Sequence, residues 1–183
     1  TVNARLFLNE KLALTTNTSL LNSNATENTS TFLRTYNEAR YNFKKSWVGT
    51  RLSAENNEQK DVATDNFTQL SQRFKAYEIF TGVGDSTGVF AEIGYKYRVN
   101  DSLRNNNLQR VNTSNTYYLN SRIIKNERTN LSLFANYRTL KNTDENSDDE
   151  QSLNSRLLYN QQFFENIVNW NTVFETNSGT LAS

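Results

Sequence analysis

The stretch from Phe74 to Val99, FKAYEIFTGVGDSTGVFAEIGYKYRV, restricts the fold of this chain more than any other, because its second half alternates without a break. Val89, Ala91, Ile93, Tyr95, Tyr97 and Val99 share one side of an extended strand, and Phe90, Glu92, Gly94, Lys96 and Arg98 share the other. A period of two residues puts an apolar row and a polar row on opposite faces of a β-strand. Gly84-Asp85-Ser86-Thr87-Gly88 supplies turn residues between two extended runs, so the stretch reads as a hairpin.

The rest of the chain repeats this unit with variations. Extended runs are expected at Thr1 to Leu8 (Ala4, Leu6 and Leu8 aligned), Lys11 to Leu20 (Leu12, Leu14), Thr31 to Phe43 (Leu33, Ala39, Tyr41, Phe43) and Ser46 to Ala54 (Val48, Leu52, Ala54, with Trp47 and Arg51 opposite). After the central hairpin come Val111 to Ile124 (Tyr117, Leu119, Ile123), Thr129 to Leu140 (Leu131, Leu133, Ala135, Tyr137), Ser152 to Asn160 (Leu153, Leu157, Tyr159) and Ile167 to Thr176 (Val168, Trp170, Phe174). The expected fold is therefore all-β: an antiparallel up-and-down meander of about ten strands over residues 1–183, barrel-like in pattern. Short connections (Asn9-Glu10, Lys44-Lys45, the glycine turn, Lys125 to Arg128, and near Phe163 to Asn166) are expected to alternate with long polar loops at Leu21 to Ser30, Glu55 to Thr68, Asn100 to Gln109 and Lys141 to Gln151. Outer-membrane barrels are built in that way, with tight turns at one rim and long loops at the other.

Composition supports a sheet that buries one face thinly. The hydrophobic fraction is 36% with 12% aromatic residues, and mean hydropathy is -0.76; that is lean for a compact core and too aromatic for disorder. Asparagine accounts for 29 residues, in turns and on polar strand faces alike. A net charge of +1 gives no strong field to draw nucleic acid or anionic lipid. No cysteine or histidine is present, which removes disulfides, thiolate metal sites and the usual nucleophile–base triads. Proline is absent too, as sheet interiors require, although loops ordinarily accept it. No apolar run is long enough for a membrane-spanning helix. The alternation already under way at Thr1, and the lack of a terminal signal at Ser183, lead to the expectation of a piece of a longer polypeptide.

Few residues suggest chemistry. GVGDSTG lacks the Lys-Ser/Thr ending of a phosphate loop and leads into a strand, so it is better read as a turn. The acidic stretch Asp144, Glu145, Asp148, Asp149 and Glu150 lacks the ligand spacing of a calcium loop and reads as solvated surface. No catalytic set, metal site or cofactor site is expected. Val89, Ala91, Ile93, Tyr95 and Tyr97 are expected to face lipid or core. Glu92, Lys96, Arg98, Arg122 and Arg138, with Arg40, Arg51 and Arg156, are expected to face lumen or water. Tyr41, Phe43, Trp47 and Trp170, beside short turns, are candidates for an interfacial aromatic girdle. Against a lipid-facing surface stand Thr35, Asn37, Thr50, Ser121 and Ser155, together with Arg73 and Lys75. The last two spoil one face of their strand and leave Phe74, Ala76 and Phe80 as its usable face.

FTGVGDSTGVFAEIGYKYRVNDSL, LQRVNTSNTYYLNSR and the terminal FETNSGTL resemble segments of large uncharacterised outer-envelope proteins of Bacteroidota, of the flavobacterial kind. The resemblance implies location in or at the bacterial outer membrane as part of a longer chain, and it carries over no catalytic residue. Residues and resemblance together lead to a non-enzymatic outer-membrane barrel or barrel wall. It would form a pore or translocation path, or display surface loops, with outer-membrane lipid and the remainder of a parent chain or other envelope proteins as partners and no nucleic acid. The alternative is a water-soluble elongated sheet used in cell-surface adhesion or scaffolding.

Overall fold

A computed structural model describes residues 1–9, 11–68, 71–85, 88–104, 107–144, 147–163 and 168–182. Glu10, Ser86, Thr87, Asn105, Asn106, Glu145, Asn146 and residues 164–167, which belong to expected turns, loops and one strand start, lie outside them. The described residues form β1 (Val2–Phe7), β2 (Leu12–Asn24), β3 (Asn28–Asn42), β4 (Ser46–Asp61), β5 (Gln72–Gly84), β6 (Phe90–Arg104), β7 (Asn107–Lys125), β8 (Thr129–Asn142), β9 (Asp149–Phe163) and β10 (Val168–Ala182). All ten join one antiparallel sheet in chain order. The sheet is not closed into a barrel: β1 pairs with β2 and β10 with β9, and no ladder joins β1 to β10 among the described residues.

Side chains opposite one another in register share a face, so the ladders sort the whole sheet into two faces. One carries Trp47, Gly49 and Arg51 of β4, Ala76, Glu78 and Phe80 of β5, Glu92, Gly94 and Lys96 of β6, and Tyr118 of β7. On it Trp47, Ala76 and Phe80 are each only 3% exposed. On the other face of the same strands, Ile79 is 60% and Ile93 56% exposed. A flat single-layer sheet would expose its two faces alike. This one curls around the Trp47 face, called inward below.

The hairpins are staggered. The last pair of β1–β2, Phe7 with Ala13, lies on the register row of Gly94, and that of β3–β4, Asn42 with Trp47, on the row of Glu92. The β5–β6 hairpin ends at Phe90, that of β7–β8 two rows lower and that of β9–β10 five rows lower. The drift is about one residue per strand. With roughly 3.3 Å per residue and 4.8 Å between strands, the strands lean by about 38° relative to the line through their hairpin ends. Barrel closure requires a regular stagger and tilt of that kind.

Several expectations need correcting. Strands run on through most of what reads as long loop: β2 continues to Asn24 with β3 beginning at Asn28, β4 reaches Asp61, β6 reaches Arg104, and β9 begins at Asp149. The alternation of short and long connections therefore does not hold, and the stretch between Asp61 and Gln72 is the main long connection that remains. Ladder hydrogen bonds come from the backbone, so Asn, Thr and Ser continue a strand after the apolar alternation has stopped. Val89 lies in the turn, one residue before β6 starts. Gly84 takes the left-handed backbone (φ 107°) that ends β5. Ile123 drops out of the ladder at a bulge, and Ile124 takes the place opposite Leu131. Phe74, Ala76 and Phe80 face inward, so the outward side of β5 is Val83, Thr81, Ile79 and Tyr77, with Lys75 and Arg73 at its far end.

Candidate functional site

The inward face gathers its charges around Arg51. The hairpin register of β3 and β4 sets Glu38 opposite Arg51, and that of β4 and β5 sets Glu78 on its other side. Arg51 donates from Nε to Glu38 Oε2 at 2.7 Å and from Nη1 to Glu78 Oε1 at 2.5 Å, and Nη1 also lies 3.4 Å from Glu92 Oε1. The same nitrogen donates to the Tyr118 hydroxyl at 3.1 Å, and that hydroxyl donates to Glu78 at 2.7 Å. Trp47 donates from Nε1 to Glu92 Oε2 at 2.8 Å, and Tyr36 donates to Glu38 Oε2 at 2.7 Å. One guanidinium thus holds carboxylates from three strands and a phenol from a fourth. Charge-assisted bonds of this kind exceed neutral ones in strength, and a buried network of them is stable only while every member is satisfied.

Aromatic rings form the bed of the network. Arg51 stacks over Phe80 at 3.8 Å from Cζ to the ring centroid, Arg40 over Trp47 at 4.4 Å, and Arg98 over Phe74 at 4.1 Å. The rings lie flat against the wall because glycine stands opposite each. A Cβ at Gly82 would come within 2.3 Å of the Trp47 ring, one at Gly94 within 2.4 Å of Tyr118, and one at Gly49 within 2.5 Å of Phe80. Gly82→Val should therefore tilt the Trp47 indole off the wall and break its bond to Glu92, at about 1–3 kcal/mol of stability. In a Trp170→Phe background, where Trp47 is the sole tryptophan, a red-shifted emission maximum checks this; an unshifted spectrum at full stability would contradict it.

Register puts Glu92, Lys96, Arg98, Arg122 and Arg138 all on the inward face, with Arg40, Arg51 and Arg156. Of these, Arg51 and Glu92 meet in the network. Arg122 reaches the Gly88 carbonyl at 3.3 Å, Arg98 bonds Asn100 at 2.8 Å, and Arg138 lies in register with Thr116 and Ser152. Ala91, Ile93, Tyr95 and Tyr97 face outward. Tyr41, Phe43 and Trp170 are exposed near the hairpin ends, with Tyr41 and Phe43 edge-on at 5.0 Å. Trp47 is the exception among the girdle candidates: it is buried on the inward face, because its indole N–H has a carboxylate there and its ring has a glycine to lie against.

Sequence reading did not single out Glu38, Glu78 or Tyr118. A turn at Lys44-Lys45 already implies Glu38 opposite Arg51, so that pair was accessible from the hairpin alone. Glu78 depends on the register of β4–β5 across the long connection between Asp61 and Gln72, and Tyr118 on that of β6–β7, where the bulge between Asn100 and Asp101 shifts the count.

The outward face has a different character. From the hairpin ends upward it carries no Asp, Glu, Lys or Arg among the described residues until Glu58, Lys60, Arg73, Lys75, Asp101, Arg110, Lys141 and Asp149, all toward the opposite rim. Its hydroxyls and amides find partners along the sheet: Thr81 donates to the Trp47 carbonyl at 2.9 Å, Ser121 to the Leu133 carbonyl at 3.2 Å, Thr16 to Asn37 at 2.8 Å, and Ser155 pairs with Thr176 at 2.8 Å. Beyond this belt, Asp61 accepts from the Thr64 backbone and hydroxyl and from Ala63 N, and those donors hold its carboxyl below its usual pKa. No protein-family model, curated protein or solved structure matches the chain.

Proposed function

We propose that this chain is a membrane-spanning wall of an outer-membrane β-barrel, with the Arg51 face toward the lumen and the Ile79–Ile93 face toward lipid. Its work on this reading is non-enzymatic: forming a pore or translocation path, or holding surface loops. The observation that carries it is the charge-free apolar belt. From Ala91 to Asp101 on β6, and from Leu131 to Lys141 on β8, ten residues separate the hairpin end from the first outward charge. At roughly 3.3 Å per residue and a tilt near 38°, that distance is about 26 Å along the membrane normal, against the ~25 Å apolar band of outer-membrane barrels. The inward face is charged over the same height. Membrane barrels show this arrangement, whereas a water-soluble sheet would be expected to cover such a surface.

The open edges of β1 and β10 favour a second reading, an elongated sheet in water that adds strands or binds partners through those edges. The uncovered belt opposes it. Folding the chain in plain buffer and in detergent micelles separates the two. The wall reading expects strand circular dichroism and a heat-sensitive gel mobility shift in micelles alone. A monomeric β-folded chain in plain buffer would overturn it.

A further inference from the structure

Arg73 and Lys75 count against a lipid-facing β5 when the sequence is read alone, and their position in the sheet gives them a use. We infer that Lys75 and Arg73 form an outward-facing site for the phosphate of an anionic membrane lipid, an inference that rests on the barrel-wall reading. Both lie on the outward face of β5 at the top of its apolar run, eight and ten residues from Val83. At roughly 3.3 Å per residue and a 38° tilt, Lys75 stands about 21 Å above Val83, just inside the upper edge of a ~25 Å apolar band, and Arg73 about 26 Å above it, at headgroup depth. The stem of Lys75 extends its ammonium further toward that level.

The neighbours leave positive charge over. Ala54 and Val99 stand in register on either side of Lys75, and no ion pair reaches it among the described residues. Arg73 is held at long range, 3.4 Å from Glu58 and 3.3 Å from Asn56. Asp101, in register with Arg73, is engaged by Arg110 at 3.3 Å. The Glu55 carboxylate is taken by Arg34 on the inward face. Lys75, Arg73 and Arg110 thus face Glu58 and Asp101, one cation in excess. The two β5 cations border a hollow of about 130 Å³ whose other walls include Leu33, Thr35 and Ala54. Lower on the same face, Ile79 and Ile93 open onto an apolar depression of about 650 Å³. Cations above and an apolar trough below match an amphiphile with an anionic head, and free phosphate would use the upper part alone.

The test reconstitutes the full chain in vesicles of phosphatidylcholine, or of phosphatidylcholine doped with phosphatidylglycerol, and reads co-purifying lipid by native mass spectrometry. The expected result is preferential retention of phosphatidylglycerol, weakened about fivefold for each charge removed by Lys75→Gln and Arg73→Gln, and unchanged by the inward Lys96→Gln. Heat-modifiable folded protein without that preference overturns the site alone, as does an equal loss in Lys96→Gln. Displacement of the lipid by inorganic phosphate assigns the pair to a free anion and overturns the lipid assignment. Absence of folded protein in both vesicle types overturns the wall reading and the site with it.

Discussion

Replacing Arg51 with alanine is expected to prevent stable assembly of the sheet, lowering its urea stability in micelles by about 3–5 kcal/mol. The size follows from what is left behind. Glu38, Glu78 and Glu92 lose the one guanidinium that joins them, and Trp47 and Tyr118 remain bonded to carboxylates without a counter-charge. Arg51→Lys restores the charge but not the planar fork that serves Glu38 from Nε and Glu78 from Nη1, so it should recover only part of the loss. Glu78→Gln keeps two carboxylates on Arg51 and should be milder than either. An equilibrium urea titration of the three variants orders them. If Arg51→Ala unfolds at the wild-type midpoint, the network does not hold the wall together.

The second large effect is expected at Ile79. On the wall reading it lies near the middle of the outward belt, in register with Tyr95, and it is 60% exposed, so Ile79→Arg would carry a guanidinium into hydrocarbon at about 2–4 kcal/mol. The neighbouring inward position is the control: Lys96→Glu should assemble normally and change the ion selectivity of any conductance. Recovery of heat-modifiable protein from vesicles reads assembly, and planar-bilayer recording reads selectivity. A soluble sheet would show no dependence on the bilayer in either variant, and silence of both would contradict the assignment of faces itself.

The two faces were legible in the sequence because a period of two residues separates an apolar row from a polar one, and that alternation survives in β6, β8 and β10 almost residue by residue. The ends of the strands were not legible. Asn22 to Asn24, Asn56 to Asp61 and Asp101 to Arg104 carry no apolar rhythm, yet they continue the ladder, since pairing needs only backbone. The glycines of the inward face were also visible, but their purpose was not. Gly49, Gly82 and Gly94 are notches for rings that stand opposite them, and a notch is recognised only once the opposing residue is known. Arg73 and Lys75 show the same limit from the other side. A charge on a lipid-facing row is a fault or a feature according to its height, and height is set by the stagger of neighbouring hairpins.

The meander also has a kinetic consequence. Each strand pairs with the one made just before it, so the sheet can grow by adding one hairpin at a time, closing short loops and avoiding long searches. On the wall reading, the β3–β4 hairpin carries Glu38 and Arg51 into the bilayer already joined as a neutral pair rather than as two separate charges. The β5–β6 hairpin brings Glu78 and Glu92 together with Lys96 and Arg98, and in the finished sheet both carboxylates meet Arg51 of the earlier hairpin. An order in which β3–β4 forms first would give β5–β6 a template to dock on, with Tyr118 of β7 bonding to the joined pair afterwards.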